Sequence, residues 1–438
     1  MTGPATDPTA RTRRAQHAWC LYDWANSTFA TSIVAAILPV YFARTAARSM
    51  PAHEATALWG YASAATLAIA ALLSPFVGAL ADQTRRRKPL LLACVSLGVL
   101  ATLALAAVPP GDWRPLLPTF GLAFVAFMVA NVLYDSLLPA IAAPDEMDRV
   151  SARGFAYGYV GGGVLLAVNL AMVTMPHAFG LPDAATATRA AFVTVALWWF
   201  GFSLPLLRQV PEPEAEPAHV PVRELPAAVF ARLARTGREL GRHPDLLRFL
   251  IAFWLYSDGI GTIIKMATIY GVEVGLGDRD LMGALLLVQV LAAPASIAFG
   301  RLARPLGARG TVLLGLAGYT GISVFAFFLH HAWQFWVLAA LVAVFQGGTQ
   351  ALSRSLFASL VPPDRSGELF GFYSVSEKLA GVIGPVLFGI VAQATQHGRL
   401  ATLTLLPLFL GGAWLFTRVD FARGRAAAAA AASHDGPV

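Results

Sequence analysis

Pro89-Leu-Leu-Leu-Ala-Cys-Val-Ser-Leu-Gly-Val-Leu-Ala-Thr-Leu-Ala-Leu-Ala-Ala-Val108 runs for 20 residues without a charge, and Arg85-Arg-Arg-Lys88 stands directly before it. An α-helix rises 1.5 Å per residue, so this run spans about 30 Å, the thickness of a bilayer's hydrocarbon core. A basic cluster at one end of such a helix is what orients it, because cytoplasmic loops carry an excess of Lys and Arg. The same alternation of apolar run and short basic loop continues in both directions. Apolar windows fall near 18–43, 58–81, 89–108, 116–141, 154–175 and 190–207, and again near 247–271, 281–303, 311–329, 333–353, 368–393 and 400–417. The 438 residues are 57% hydrophobic and only 13% charged, against roughly 25% charge in soluble domains. The pattern predicts an all-α membrane protein with twelve transmembrane helices. It excludes a soluble enzyme, and also a β-barrel, whose spans would be roughly 10-residue alternating segments. Cys20 and Cys94 give no disulfide framework.

Charge sets the orientation. With both termini cytoplasmic, 24 basic residues lie inside and six outside (Arg44, Arg48, Arg114, Arg189, Arg279 and Arg399). Counted without the long central loop the inside still holds 17, so the positive-inside rule places both termini in the cytoplasm. The net charge of +7 is thus topogenic and does not point to nucleic acid. The first apolar segment is too long for a cleaved leader and contains Asp23 and Asn26, so it reads as a retained helix. The expected location is a bacterial cytoplasmic membrane.

The expected organisation is a cytoplasmic tail (1–17), a six-helix bundle (18–207), a cytoplasmic linker (208–246), a second six-helix bundle (247–417) and a low-complexity tail (418–438). Pro211-Glu-Pro-Glu-Ala-Glu-Pro217 opens the linker as a proline-rich acidic stretch. Beyond it Val229, Phe230, Leu233 and Leu240 fall on one side of a helical pattern and Arg232, Arg235, Glu239 and Arg242 elsewhere, which predicts an amphipathic helix on the anionic inner leaflet. The halves repeat. Trp19-Cys-Leu-Tyr-Asp23 corresponds to Phe253-Trp-Leu-Tyr-Ser-Asp258, and Ser136-Leu-Leu-Pro-Ala-Ile-Ala-Ala-Pro-Asp145 to Ser355-Leu-Phe-Ala-Ser-Leu-Val-Pro-Pro-Asp364. A chain of two related six-span halves is the plan of a transporter with its site near the midplane.

Gly78-Ala-Leu-Ala-Asp82-Gln-Thr-Arg-Arg-Arg-Lys88 resembles the signature between spans 2 and 3 of the major facilitator superfamily, with Arg85 where a second glycine is common. Trp19-Cys-Leu-Tyr-Asp-Trp-Ala-Asn-Ser27, Tyr134-Asp-Ser-Leu-Leu-Pro139 and Pro362-Pro-Asp-Arg-Ser-Gly-Glu-Leu-Phe-Gly371 resemble the vacuolar amino-acid effluxers and their bacterial relatives. This resemblance implies two six-helix bundles rocking about a central site. It implies amino-acid transport, which in the yeast members is export from the vacuole to the cytosol, and a cavity lined by spans 1, 4, 7 and 10. It also implies that Asp82 approaches the start of span 11, near Gly367 and Glu368, and favours the outward-open state. The arginine that many proton-coupled members carry in mid span 4 is absent here, while protons remain a candidate coupling ion.

Asp258, Lys265, Glu377 and Lys378 fall inside apolar windows. A charge at the centre of a membrane helix costs roughly 2.5–3.5 kcal/mol, so these four are expected to pair or to line a wet cavity. Only three residues are lysine against 29 arginines, yet two of the three are intramembrane. A desolvated lysine can lose its proton and an arginine cannot, so either a titrating lysine or a tight ion pair explains the choice. Asp258 and Lys265 lie seven residues apart, about 10 Å along one helix face. A zwitterion would bridge them, or each would pair with another helix. Asn26, Asn131, Gln346 and Gln350 join the candidate substrate-binding set, and Asp23, Asp82, Asp135 and Arg354 the gating set. No metal-ligand cluster, nucleophile–base arrangement or phosphate-cradling loop appears, so no cofactor is expected and the chain does not read as an enzyme. The expected partners are a small-molecule substrate and the lipid bilayer, with the chain acting as a monomer. An exporter of amphipathic drugs or cell-wall fragments, and a non-transporting membrane sensor, are the competing functions.

Overall fold

The computed structural model describes residues 8–84, 86–142, 147–212, 221, 223–241, 243–360, 373 and 380–426; the side chains of some helical residues, Asp82 among them, fall outside that description. The described residues form helices and connecting turns. They are α1 (Pro8–Thr28), α2 (Ile37–Tyr41), α3 (Ala52–Thr84), α4 (Arg87–Ala107), α5 (Trp113–Asp135), α6 (Met147–Thr174), α7 (Ala184–Gln209) and α8 (Leu225–Leu240). There follow α9 (Pro244–Glu273), α10 (Asp278–Phe327), α11 (Ala332–Ala358), α12 (Ile383–Thr395), α13 (Gly398–Thr402) and α14 (Leu405–Thr417). Ten stretches among the described residues are long and apolar enough to cross a membrane.

Two irregularities have local causes. Pro39 has no N–H for the carbonyl four residues back, and its ring crowds that carbonyl. The first span widens into π-helical turns just before this proline, at Phe29–Ala36, where the Ile37 N–H reaches back five residues to Ser32; a second π-helical stretch follows at Phe42–Ala46. In α10 the helical path breaks at Gly307, which takes φ 71°. Glycine alone adopts that left-handed conformation without cost, so α10 is two successive helices joined at a tight corner.

The chain divides into two compact units, Met1–Ser49 with Leu72–Leu225, and Met50–Ala71 with Pro226–Val438. The first part of α3, up to Ala71, therefore clusters with the second unit and the rest of it with the first. In the first unit Phe29, Phe127 and Trp199 form an aromatic core, with ring centroids 5.0 Å (Phe29–Phe127) and 5.3 Å (Phe29–Trp199) apart. Gly98 makes room for it, since a Cβ there would lie 2.5 Å from the Trp199 ring. In the second unit Tyr319 stacks on Phe409 at 5.3 Å, and Phe249 packs among Phe357, Phe416 and Phe421. Leu100, Leu197 and Val290 are each more than half exposed, as residues that meet lipid tails should be.

Loop charges also finish helix ends. The Asp183 carboxylate accepts the Thr186 N–H at 2.7 Å as the N-cap of α7, and that bond holds its carboxyl below the usual range. At the other end of α7 the Lys88 ammonium donates to the carbonyls of Val210 (2.8 Å) and Leu207 (3.2 Å). Arg87 donates to the Ser136 carbonyl, at the end of α5, at 3.0 Å. The basic cluster before Pro89 thus closes two helix C-termini, besides any topogenic role.

Candidate functional site

Among the described residues of the second unit, the two charges that interrupt an apolar window, Asp258 and Lys265, share one face of α9. Asp258 is 3% exposed, and its Oδ2 accepts the backbone N–H of Gly384, in the first turn of α12, at 2.8 Å. Its Oδ1 is buried and has no hydrogen-bond partner. A buried acceptor left unsatisfied costs about 1–3 kcal/mol, and more when charged, so this atom is the least satisfied feature of the site. Thr262 turns its hydroxyl back to the Asp258 carbonyl at 2.7 Å, the usual in-helix bond of a threonine in an apolar setting.

Lys265 lies nearly two turns further along α9. Its ammonium folds back along the helix to the Gly261 carbonyl at 3.1 Å, and its own carbonyl accepts the indole N–H of the buried Trp59 at 3.3 Å. Asp258 and Lys265 form no direct ion pair; among the described residues Asp258 accepts the Gly384 N–H and Lys265 donates to the Gly261 carbonyl. Opposite them the chain turns at Gly381, φ 108°, just before α12 begins. The first turn of a helix has free N–H groups, and here the one of Gly384 meets Asp258.

The first unit carries a second polar cluster. Asn26, on α1, donates to the Asn131 side-chain oxygen, on α5, at 2.7 Å. One turn earlier Asp23 accepts the Tyr134 hydroxyl at 2.8 Å. Trp19 stacks on Tyr134 at 4.4 Å, and Tyr22 lies against it at 4.6 Å. Gly154 of α6 is pressed against this cluster; any Cβ there would strike the Asp23 carboxylate.

The structure brings together Asp258 with Lys265 around one helix face, Asn26 with Asn131, and Asp23 with Tyr134. Asp135 is exposed at the end of α5. Gln346 is partly buried on α11, while Gln350 and Arg354 are exposed on it. Glu377, Lys378, Gly367 and Glu368 lie outside the described residues, and Asp82 is in the last turn of α3 with its side chain outside them. Sequence reasoning missed Gly261, Gly381, Gly384 and Trp59. Gly261 carried a readable signal, being three residues after Asp258 and four before Lys265, hence on the same face. The others come from distant elements and left none. Among the described residues no group of three or more His, Cys, Asp or Glu side chains is placed to hold a metal.

The solved structure of a D-xylose–proton symporter superposes with a TM-score of 0.66 at 14% identity, covering 94% of this chain and 98% of that one. The fold is that of the major facilitator superfamily, and the chain is a multi-pass membrane transporter of that type, not an enzyme. It is 36% identical over 407 residues to the uncharacterized MFS-type transporter YxiO of Bacillus subtilis (strain 168), covering 92% of this chain and 94% of that protein. Autophagy-related protein 22 of Yarrowia lipolytica is 26% identical over 309 residues, covering 63% of this chain and 51% of that protein. Residues 52–429 match the family described as "Vacuole effluxer Atg22 like", and the chain belongs to that family.

Proposed function

We propose that this transporter moves small zwitterions, amino acids foremost, out of the cytoplasm by alternating access of its two units, as a monomer in a bacterial cytoplasmic membrane with both termini inside. The observation that carries the substrate class is the α9 face. A carboxylate with one unpartnered oxygen and an ammonium held by a single carbonyl share that face without pairing. A solute with an ammonium at one end and a carboxylate at the other completes both with charge-assisted bonds, the strong kind.

Asn26–Asn131 and Gln346 add neutral polar contacts on the cavity spans, Glu377 and Lys378 add charge on span 11, and Asp23, Asp82, Asp135 and Arg354 serve the conformational cycle. The test is flux of a labelled amino-acid panel in proteoliposomes, with and without a proton gradient, for wild type and Asp258→Asn. Saturable flux that the variant loses supports the reading. Absence of flux for every amino acid removes the substrate class and leaves the transporter fold standing.

A further inference from the structure

The last turn of α14 draws two arginines to one place. Arg309, two residues beyond the Gly307 corner of α10, donates from Nη2 to the Thr417 carbonyl at 2.6 Å. Arg418 follows that carbonyl directly and lays its guanidinium over the Trp414 ring, 5.2 Å from the centroid. Both arginines are exposed, and among the described residues neither has a carboxylate within 4 Å. Asp420, the acid nearest Arg418 in sequence, turns its carboxylate to the N–H groups of Ala422 and Arg423, and Asp245 is held by Arg248 and Arg423. One Arg309 donor closes the carbonyl end of α14. The Arg418 guanidinium has no hydrogen-bond acceptor among the described residues.

An apolar flank continues from these charges. Pro407, Leu410, Trp414 and Arg418 stand at i, i+3, i+7 and i+11, one stripe of α14. Leu410 and Trp414 are more than half exposed, whereas Leu408, Phe409 and Phe416 are buried, so the stripe is the face turned away from the protein. Leu306, just before the corner of α10, is more than half exposed beside it. From one end the stripe reads cation, indole, aliphatic side chain. A phospholipid reads phosphate, interface, acyl chain, and tryptophan favours that middle level.

We propose that this end of the α10–α14 pair is a binding site for one anionic phospholipid of the phosphatidylglycerol class, in the inner leaflet under the orientation proposed above. The phosphate lies between Arg309 and Arg418, whose guanidinium donors suit it in charge and geometry. An acyl chain runs along Trp414 and Leu410. A zwitterionic phospholipid carries the same phosphate together with its own cation, which two uncompensated arginines disfavour; this charge complementarity selects the anionic lipid. The site is independent of the solute carried.

The test titrates the purified full chain in detergent with phosphatidylglycerol bearing brominated acyl chains, which quench a tryptophan that they touch. The part of the quenching lost in Trp414→Phe reports this site, and brominated phosphatidylcholine is the comparison. Phosphatidylglycerol is expected to half-quench Trp414 at about tenfold lower concentration or less, since each arginine at a membrane surface contributes about fivefold toward an anionic lipid. Arg309→Gln and Arg418→Gln should each remove about fivefold of that preference, and the double variant nearly all of it. Arg309→Lys with Arg418→Lys keeps the charges and should keep most of the preference, which separates lost charge from lost folding. Equal midpoints for the two lipids overturn the site, and displacement by inorganic phosphate in that case assigns the arginines to a free anion. A preference that survives the double glutamine variant, or quenching unchanged in Trp414→Phe, overturns it as well.

Discussion

The Glu273 carboxylate, in the last turn of α9, accepts a 2.5 Å hydrogen bond from the Thr56 hydroxyl near the start of α3. Its other oxygen accepts the Gly398 N–H at 2.6 Å. The same half of α3 gives the Trp59 N–H to Lys265, and the Tyr61 hydroxyl to Gln393 at 2.8 Å. Gly60 lets it approach α12, since a Cβ there would lie 2.7 Å from the Pro385 carbonyl. These bonds explain why Met50–Ala71 clusters with the second unit although α3 continues into the first.

The Glu273–Thr56 bond should therefore govern how often the first part of α3 separates from α9. A hydrogen bond to a charged group contributes about 1.5–3 kcal/mol. Thr56→Val keeps the shape and removes the donor. Faster hydrogen exchange at the amides of residues 57–61, with a lower melting temperature, is the expected result. Exchange at the wild-type rate would show that the bond does not hold this segment.

Lys88 should contribute stability as a helix C-cap. Its ammonium satisfies two carbonyls at the end of α7, where a cation also meets the negative end of the helix dipole. Lys88→Ala should destabilise the first unit by about 1 kcal/mol, and Lys88→Gln, which keeps donors but not charge, should recover part of it. Thermal unfolding of the purified variants measures both. A melting temperature unchanged in Lys88→Ala would leave the residue with topology alone.

Behind the last span, Asp245 gathers the chain's end. It is 3% exposed and accepts from Arg423 Nε at 2.6 Å, Arg423 Nη2 at 2.9 Å, Arg248 at 3.1 Å and the Asp420 N–H at 3.1 Å. The carboxylate makes Arg423 hold its proton more firmly than usual. Phe421 packs on Phe249 and Phe416 alongside. Arg423→Ala removes a bidentate partner from a buried carboxylate, whereas Arg248→Ala removes a single bond. The first should lower the melting temperature more and free residues 420–426 to proteolysis. Equal effects of the two substitutions would contradict the bidentate contact as the main tie.

Spans and intramembrane charges were legible because both are one-dimensional: a run of about 20 uncharged residues, and Asp258 or Lys265 interrupting one. The seven-residue spacing even gave the shared face and the lack of direct contact. What faces that helix was not legible. Gly384, Gly381 and Trp59 reach α9 from elements more than a hundred residues away or from the far side of the chain's order. Nothing in their own neighbourhoods marks them. Asp23 illustrates the same limit: its polar spacing with Asn26 was readable, but the Tyr134 hydroxyl that it accepts was visible only in the fold.

The Asp258 and Lys265 charges lie on one face of α9 and, in the proposed cycle, each also holds one end of the substrate. Mutual neutralisation and substrate gripping separate in a double-mutant cycle. Asp258→Asn alone leaves Lys265 without the opposite charge on its face, and Lys265→Gln alone leaves Asp258 so; removing one partner of a buried pair costs far more than removing both. The double variant should therefore melt closer to wild type than either single variant, a coupling of the size seen for residues sharing one network, about 0.5–3 kcal/mol. Transport should not follow stability. If each charge grips substrate, the double variant is as inactive as the singles although it is better folded. If the two serve only to neutralise each other, flux returns along with the melting temperature, and the substrate-gripping role of the α9 face is lost.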